Sequence, residues 1–432
     1  MGSLPIPDSQ FAHLDQFPMD EAFMIMRDFA LDTHPGKVSL GAGVYRDNDA
    51  KPWVLPSVRK AEQLVVQDPN IDHEYQPMSG HPPFVPLAQE LTFGPLMASL
   101  SNRIVTCQTI SGTGANHFAA VFLSQVLSAK RVWISNPTWY EIEKQLHLTL
   151  AHNRIRGNHH LLWDISAPQV KQQLYSYYNA KTCSLDFDGM IQTLDTEAQP
   201  GDIILLHACA HNPTGIDPTP EQWKIIADVC ERKRLFPFFD SAYQGFASGD
   251  LDQDAYAIRL FAERGFELAV AQSFSKNFGL YGQRVGALHI VVSRSEVAAP
   301  TQSHLTKLVR GEFSTAPVHG ARIVTQILSD SSLRKQWYAD LQVMSSRLKD
   351  MRRALYDELR RLGTPGSWEH IVDQIGMFSY TGLNAKQVAR LRDEQHIYMM
   401  ASGRASIAGL NTSNVAAVAA AIDAIVRAEQ QA

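Results

Sequence analysis

The chain has 432 residues, 45% apolar and 19% charged, with 39 Lys and Arg against 44 Asp and Glu for a formal charge of −5. At roughly 150 residues per domain this predicts two to three domains, with a core that needs no disulfide or metal to hold it. The mildly acidic balance makes the chain a poor candidate for a general nucleic-acid binder, which needs a basic surface, and ordinary Gly and Pro contents exclude collagen-like and low-complexity chains.

The N-terminal MGSLPIPDSQ has neither the basic and apolar regions of a secretory signal nor the arginines of a mitochondrial presequence. Gly2 suits myristoylation, but Ile6 stands where Ser or Thr is wanted. Further on, residues 116–129 (NHFAAVFLSQVLSA) predict a helix and residues 131–135 (RVWIS) a strand. Residues 202–207 (DIILLH) form a continuous apolar run between turn signals, the pattern of a strand buried on both faces. A helix is expected over 221–232, after Pro218 and Pro220. Strands follow over 235–239, in spite of Pro237, then over 268–274 and 287–292. This alternation predicts a mostly parallel sheet covered by helices. The last hundred residues change character. A long charged helix over 336–361 precedes a β-like stretch at 375–380 and an Ala-rich amphipathic helix at 415–427. They predict a smaller α+β domain, with a boundary between residues 330 and 345. No apolar run reaches the ~18 residues of a membrane span, so a soluble cytoplasmic protein with no membrane partner is expected. Cys107, Cys183, Cys209 and Cys230 form no C-x-x-C pair and read as reduced thiols, not zinc ligands.

In an open α/β sheet, ligands sit beyond the carboxyl ends of the strands. Four places there carry chemistry. Ser111-Gly112-Thr113-Gly114 opens a helix and reads either as a phosphate cradle or as a capped glycine turn. His207 to Gly215 (HACAHNPTG) follows DIILLH. Its Asn-Pro-Thr-Gly is turn chemistry, and two histidines four apart in a loop, without H-E-x-x-H, argue little for a metal. Asp240 ends an apolar strand just before Tyr243. A carboxylate there is costly without a positive partner or ligand, unless it merely caps a turn. Lys276 stands among aromatics in Ser273-Phe274-Ser275-Lys276-Asn277-Phe278-Gly279, with Arg284 eight residues on. It reads as an amine of lowered pKa suited to imine formation, or as an ordinary snorkelling lysine. Together and in this order, a cradle, an aspartate, a phenol and a lysine are the parts of a pyridoxal phosphate site.

The sequence resembles the class I aminotransferases, in particular the eukaryotic aspartate aminotransferase pattern. The resemblance is carried by KVSLGAGVYRD (37–47), PWVLPSVRKAE (52–62), HEYQPMSG (73–80), ISGTGA (110–115), NPTW (136–139), LLHACAHNPTG (205–215), FFDSAYQGFASG (238–249), AQSFSKNFGLYGQRVG (271–286), HGARIV (319–324) and SGRASIAGL (402–410). It implies the α/β type I fold of pyridoxal phosphate enzymes. Residues 1–48 would form an N-terminal arm and part of a small domain, 49–335 the large cofactor-binding domain, and 336–432 the rest of the small domain. It also implies a homodimer with shared active sites.

By position, the resemblance makes Lys276 the covalent attachment point and proton shuttle. Asp240 pairs with the pyridine nitrogen, Tyr243 and Asn212 reach the ring hydroxyl, and Trp139 stacks on the ring. Ser111, Gly112, Thr113, Ser273 and Arg284 hold the phosphate, with Tyr75 reaching over from the other subunit. Arg404 and Gly43 take the substrate α-carboxylate. Arg310, expected on a loop between helical stretches, takes the distal carboxylate of aspartate or glutamate, also from the other subunit. Planar guanidinium forks suit a dicarboxylic amino acid. Two positions depart from the pattern. The family continues three residues after the tryptophan with a histidine that supports the ring-pairing aspartate, and here that position is Ile142. Ser314-Thr315-Ala316-Pro317 stands where Ser-Asn-Pro-Pro is usual. The expected activity is transfer of the amino group of aspartate, or a similar acidic amino acid, to 2-oxoglutarate. The alternatives are drifted chemistry on the same scaffold (β-elimination, decarboxylation or condensation on an aspartate-like or sulfonated substrate) and a silent binding relative. The last is disfavoured by the intact Lys276, Asp240, Arg284 and Arg404.

Overall fold

The computed structural model describes residues 9–17, 19–139 and 158–430. Its main sheet is built from β1 (Ile104–Ile110), β2 (Arg131–Asn136), β3 (Lys171–Ser176), β4 (Ile203–His207), β5 (Phe236–Ser241), β6 (Leu268–Ser273) and β7 (Val285–Val291), in the spatial order β1-β7-β6-β5-β4-β2-β3. Pairing is parallel except along β7, which runs antiparallel to both β1 and β6. The sheet is therefore mostly parallel, as its apolar runs suggested, and the sequence-predicted strands recur with shifts of a residue or two at their ends.

The shifts have local causes. β5 begins at Phe236 and carries Pro237 inside the sheet. A proline cannot donate to a ladder, but pairing with β6 starts only at Phe238↔Ala269, so Pro237 lies short of that ladder. β5 also runs one residue beyond Asp240, which makes Asp240 part of the strand, opposite His207 on β4. The helix α1 (Ser111–Val126) starts earlier than its apolar spacing suggests, because the Ser-Gly-Thr-Gly segment is itself the first turn.

Both sheet faces are covered. One apolar layer joins Phe118, Ala119 and Leu123 of α1 to Val132, Leu205 and Phe238, and the other joins Trp133, Leu206 and Phe239 to Trp223 and Ile226 of the helix Pro220–Lys233. Strands buried on both faces need the continuous apolar sequences seen here. The long helix Ser331–Leu362 is capped by the Asp330 side chain and ends at Gly363 in a left-handed conformation, φ 62°. It runs unbroken across residues 335 and 336, the position given above for a domain limit. The two chain ends meet where Val38–Ser39 pairs in parallel with Ile397–Tyr398, and within the C-terminal part Phe378–Tyr380 pairs antiparallel with Arg404–Ser406. Arg310, expected on a loop, lies in the last turn of the helix Ala298–Glu312.

Candidate active site

At the carboxyl ends of the parallel strands lies a cavity of about 220 Å³, lined among others by Ser111, Gly112, Thr113, Trp139, Asn212, Asp240, Tyr243, Ser273, Lys276 and Arg284. The antiparallel β7 builds one wall. Its register sets Val285 opposite Ile110 and Gly286 opposite Ser273, so the ends of β1 and β6 and the start of β7 come together. The Arg284 Nη2 donates to Ser111 Oγ, its Nη1 donates to Tyr281 O at 2.9 Å, and Ser111 N–H donates to Arg284 O at 3.0 Å. Ser111 (φ 65°) and Arg284 (φ 54°) both hold left-handed backbone, which non-glycine residues adopt at a cost and which clusters at functional sites. Gly112 allows the approach of β6: a Cβ there would lie 2.7 Å from Ser273 Cβ. Small hydroxyls, helix N–H groups and a guanidinium converge as an anion cradle requires.

Asp240 forms the floor. It is 8% exposed, and His159 Nε2 lies 2.9 Å from its Oδ2. Asn116 Nδ2 donates to the same oxygen at 3.3 Å. Burial works against the carboxylate, but the hydrogen bond and charge of His159, then His207 and Asn116, hold it below its usual range. His159 Nδ1 is in turn 2.8 Å from Thr138 Oγ1, its ring lies edge-on to Trp139 with centroids 5.4 Å apart, and it meets His207 at 5.1 Å. Ile142 lies outside the described residues, and the imidazole that supports Asp240 comes from His159, twenty positions after Trp139. Chain distance hid it. His207 and His211 are bound to Thr138, Ser135 and Thr214 hydroxyls and to Asn212 N–H, and burial drives both below the usual imidazole range. Among the described residues no cluster of His, Cys, Asp and Glu is arranged to hold a metal.

Lys276 enters from the loop after β6. Its Nζ lies 5.8 Å from the Tyr243 ring centre and 5.7 Å from that of Tyr281. Burial lowers its pKa to about 8, Asp240 opposes the shift, and the cations Arg284 and Arg404 add to it. The result is an amine with an appreciable neutral, nucleophilic fraction near neutral pH. Burial raises the Tyr243 phenol well above its usual range. Arg404 is buried on the opposite side, with Nη1 3.3 Å from Asn212 Oδ1, Nη2 3.2 Å from Gly41 O, and its guanidinium over the Phe378 ring at 4.1 Å. The Phe378 ring also lies against Gly43, where a Cβ would come within 3.2 Å of it. The fold thus brings Gly41 and Arg404, from the two chain ends, together beside Asn212, which lines the cavity. It does not bring Tyr75 or Arg310 there. Tyr75 is 88% exposed, and Arg310 is exposed with Nη1 donating to Ser314 Oγ at 2.7 Å. Thr315 N–H donates to Phe313 O at 2.7 Å in the turn beside it.

An anion cradle, an ionised aspartate held by imidazole, and a lysine of lowered pKa fit pyridoxal phosphate part by part, and they define a pyridoxal phosphate enzyme of the type I fold. The chain belongs to the family of class I and II aminotransferases, whose sequence profile matches residues 35–154 and 163–422. It is 46% identical over 428 residues to an L-tyrosine:2-oxoglutarate aminotransferase of Aspergillus ustus, covering 96% of this chain and 78% of that one. The cytoplasmic aspartate aminotransferase of Saccharomyces cerevisiae has a solved structure that superposes with a TM-score of 0.89 at 42% identity, covering 97% of this chain and 98% of the other. An aromatic-amino-acid aminotransferase of Burkholderia pseudomallei, solved with pyridoxal phosphate covalently bound, superposes with a TM-score of 0.89 at 39% identity, covering 97% and 100%. No helix among the described residues is long and apolar enough to cross a membrane.

Proposed function

We propose that this aminotransferase moves the amino group of aspartate, or a similar acidic amino acid, to a 2-oxo acid such as 2-oxoglutarate. The observation that carries the reading is the buried Arg404, held by Asn212 and Gly41 beside Tyr243 and Lys276. A planar fork there suits an α-carboxylate. Bound pyridoxal phosphate supplies an electron sink for the charge left when a substrate Cα–H is removed. The chain's own residues do the rest. Asp240, held ionised by His159, keeps a positive charge on the ring nitrogen. Ser111, Gly112, Thr113, Ser273 and Arg284 fix the phosphate, and Asn212 and Tyr243 orient the ring hydroxyl. Trp139 covers the ring face. Lys276 holds the cofactor and moves the substrate proton.

Arg310 and Tyr75 do their work in a homodimer, each reaching the other subunit's cavity, and Arg310 there reads the distal carboxylate. Their exposure within one chain supports that assignment. The organisation into residues 1–48, 49–335 and 336–432 belongs to the same reading, as does a cytoplasmic location, in line with the cytoplasmic yeast relative. A second reading, acceptance of aromatic amino acids as well, is favoured by the tyrosine-named relative and by Thr315 beside Arg310. Incubating the holoenzyme with aspartate, glutamate, cysteate, tyrosine and phenylalanine, each with 2-oxoglutarate, tests both. Stoichiometric formation of glutamate and oxaloacetate from aspartate supports the first, turnover of tyrosine the second, and absence of 2-oxoglutarate consumption with any donor refutes transamination.

A further inference from the structure

Trp139 and Asn158 are separated in the sequence by residues 140–157, yet Asn158 N–H donates to Trp139 O at 2.7 Å. The two flanks pack as one segment. Thr138 grips His159, the Trp139 ring lies against the His159 ring, and the helix Asn158–Ser166 that starts here packs on α1. If Gly157 alone joined Trp139 to Asn158, the same hydrogen bond would close a three-residue turn, and a glycine between them fits that turn without strain. Connections at such strand-to-helix junctions typically need only ~2–6 residues. The match to the family profile breaks in the same neighbourhood, between residues 154 and 163.

The genetic code adds a constraint. Tryptophan has the single codon TGG, tyrosine is TAY and glutamate GAR. The coding sequence for Trp139-Tyr140-Glu141 therefore necessarily reads TG-GTAYGA-R. GT is the dinucleotide that opens a spliced intervening sequence. At the far end Arg156 can be encoded by AGG, which supplies the closing AG followed by G. Excision between these points removes a whole number of codons, those of residues 140–156, and rebuilds TGG for Trp139.

We infer that residues 140–156 are the translation of an intervening sequence that the mature message leaves out. The working enzyme then runs Trp139-Gly157-Asn158-His159 without interruption. This restores a histidine three residues after the tryptophan, the spacing that Ile142 seemed to break. It requires nothing about which amino acid is the substrate.

Two measurements test it. The first sequences reverse-transcribed message from the source organism across the Trp139 codon and maps tryptic peptides of the protein from the same cells. The expected result is a message in which the Gly157 codon follows that of Trp139, and a peptide containing Trp139-Gly157-Asn158-His159. Message and protein that all retain residues 140–156 would overturn the inference. The second compares recombinant chains with and without residues 140–156 for pyridoxal phosphate uptake, read from the visible absorption band, and for Tm. The shorter chain should bind the cofactor and melt no lower than the longer one. Loss of binding in the shorter chain, with binding kept in the longer, would overturn it. Neither readout uses turnover, so a wrong substrate assignment leaves both intact.

Discussion

Replacing His159 should detune the active site while leaving it assembled. The His159 imidazole is fixed by Thr138 Oγ1 at 2.8 Å and lies 2.9 Å from Asp240 Oδ2. Burial alone would push Asp240 toward its neutral form, and His159 is the largest influence in the opposite direction. A hydrogen bond to a charged group contributes roughly 1.5–3 kcal/mol. Losing it should leave burial unopposed and raise the Asp240 pKa. His159→Ala should lower kcat roughly 10- to 100-fold with little change in KM for the amino donor, because the damage falls on the charge that the transition state needs. The acidic limb of the kcat/KM profile should move to higher pH. His159→Gln, which keeps a neutral donor, should recover part of the loss. Cofactor content serves as the control for folding, since the cradle from Ser111 to Arg284 is untouched. An alanine variant with a wild-type acidic limb and wild-type kcat would refute the assignment of His159 as the residue that positions and charges Asp240.

Borohydride reduction of the holoenzyme followed by peptide mapping should mark Lys276, and label on another lysine would reject it as the anchor. With a Lys276 pKa of about 8, the rate of cofactor capture by apoenzyme should climb as pH rises from 7 to 9, following the neutral amine, and a flat profile would contradict the lowered pKa. Arg310→Ala should cost at least about tenfold in kcat/KM for aspartate and cysteate and little for phenylalanine. An equal fall on all three, or on none, removes Arg310 from substrate reading. Burial raises the Asp254 carboxyl to about 7, even though it accepts from the Gly245 and Ser248 N–H groups. The folded state favours its neutral form, so that contribution is whole below about pH 4 and is lost as pH rises through 7. Between pH 5 and 8 the wild-type Tm should fall more steeply than that of Asp254→Asn, and parallel curves would show that Asp254 titrates normally.

Most of the main sheet was legible because its strands are buried on both faces and so read as continuous apolar runs, IILLH of β4 being the plainest. Asp240 was legible for a related reason: a carboxylate at the end of such a run demands a partner. The identity of that partner was not. His159 reaches Asp240 through a contact whose two residues are 81 positions apart, and nothing in the residues next to it marks it. Strand ends misread by a residue or two, as where β5 runs past Phe239 to Ser241, were decided by ladder register, which a single strand's sequence does not carry. Arg310 was expected on a loop between helical stretches, but packing of Leu305 and Val309 into the core draws the helix on to Glu312.

The register of β7 has a consequence for how such a protein changes over time. Ser111, Ser273 and Arg284 are set by one pair of ladders, Val285↔Ile110 and Gly286↔Ser273, and Lys276 rides on the connection between β6 and β7. A slip of one residue along β7 would part Arg284 from Ser111 and turn the side chains of β7 to the opposite face. The anchor for the cofactor is therefore a single inherited unit, with little freedom to vary piece by piece. The groups assigned to the substrate, Gly43 and Arg404, come from strands and turns near the two chain ends, and Arg310 comes from a helix end. They can be exchanged one at a time while the cofactor stays where it is. Relatives named for aspartate and for tyrosine are both 46% identical to this chain, as a scaffold divided in this way permits.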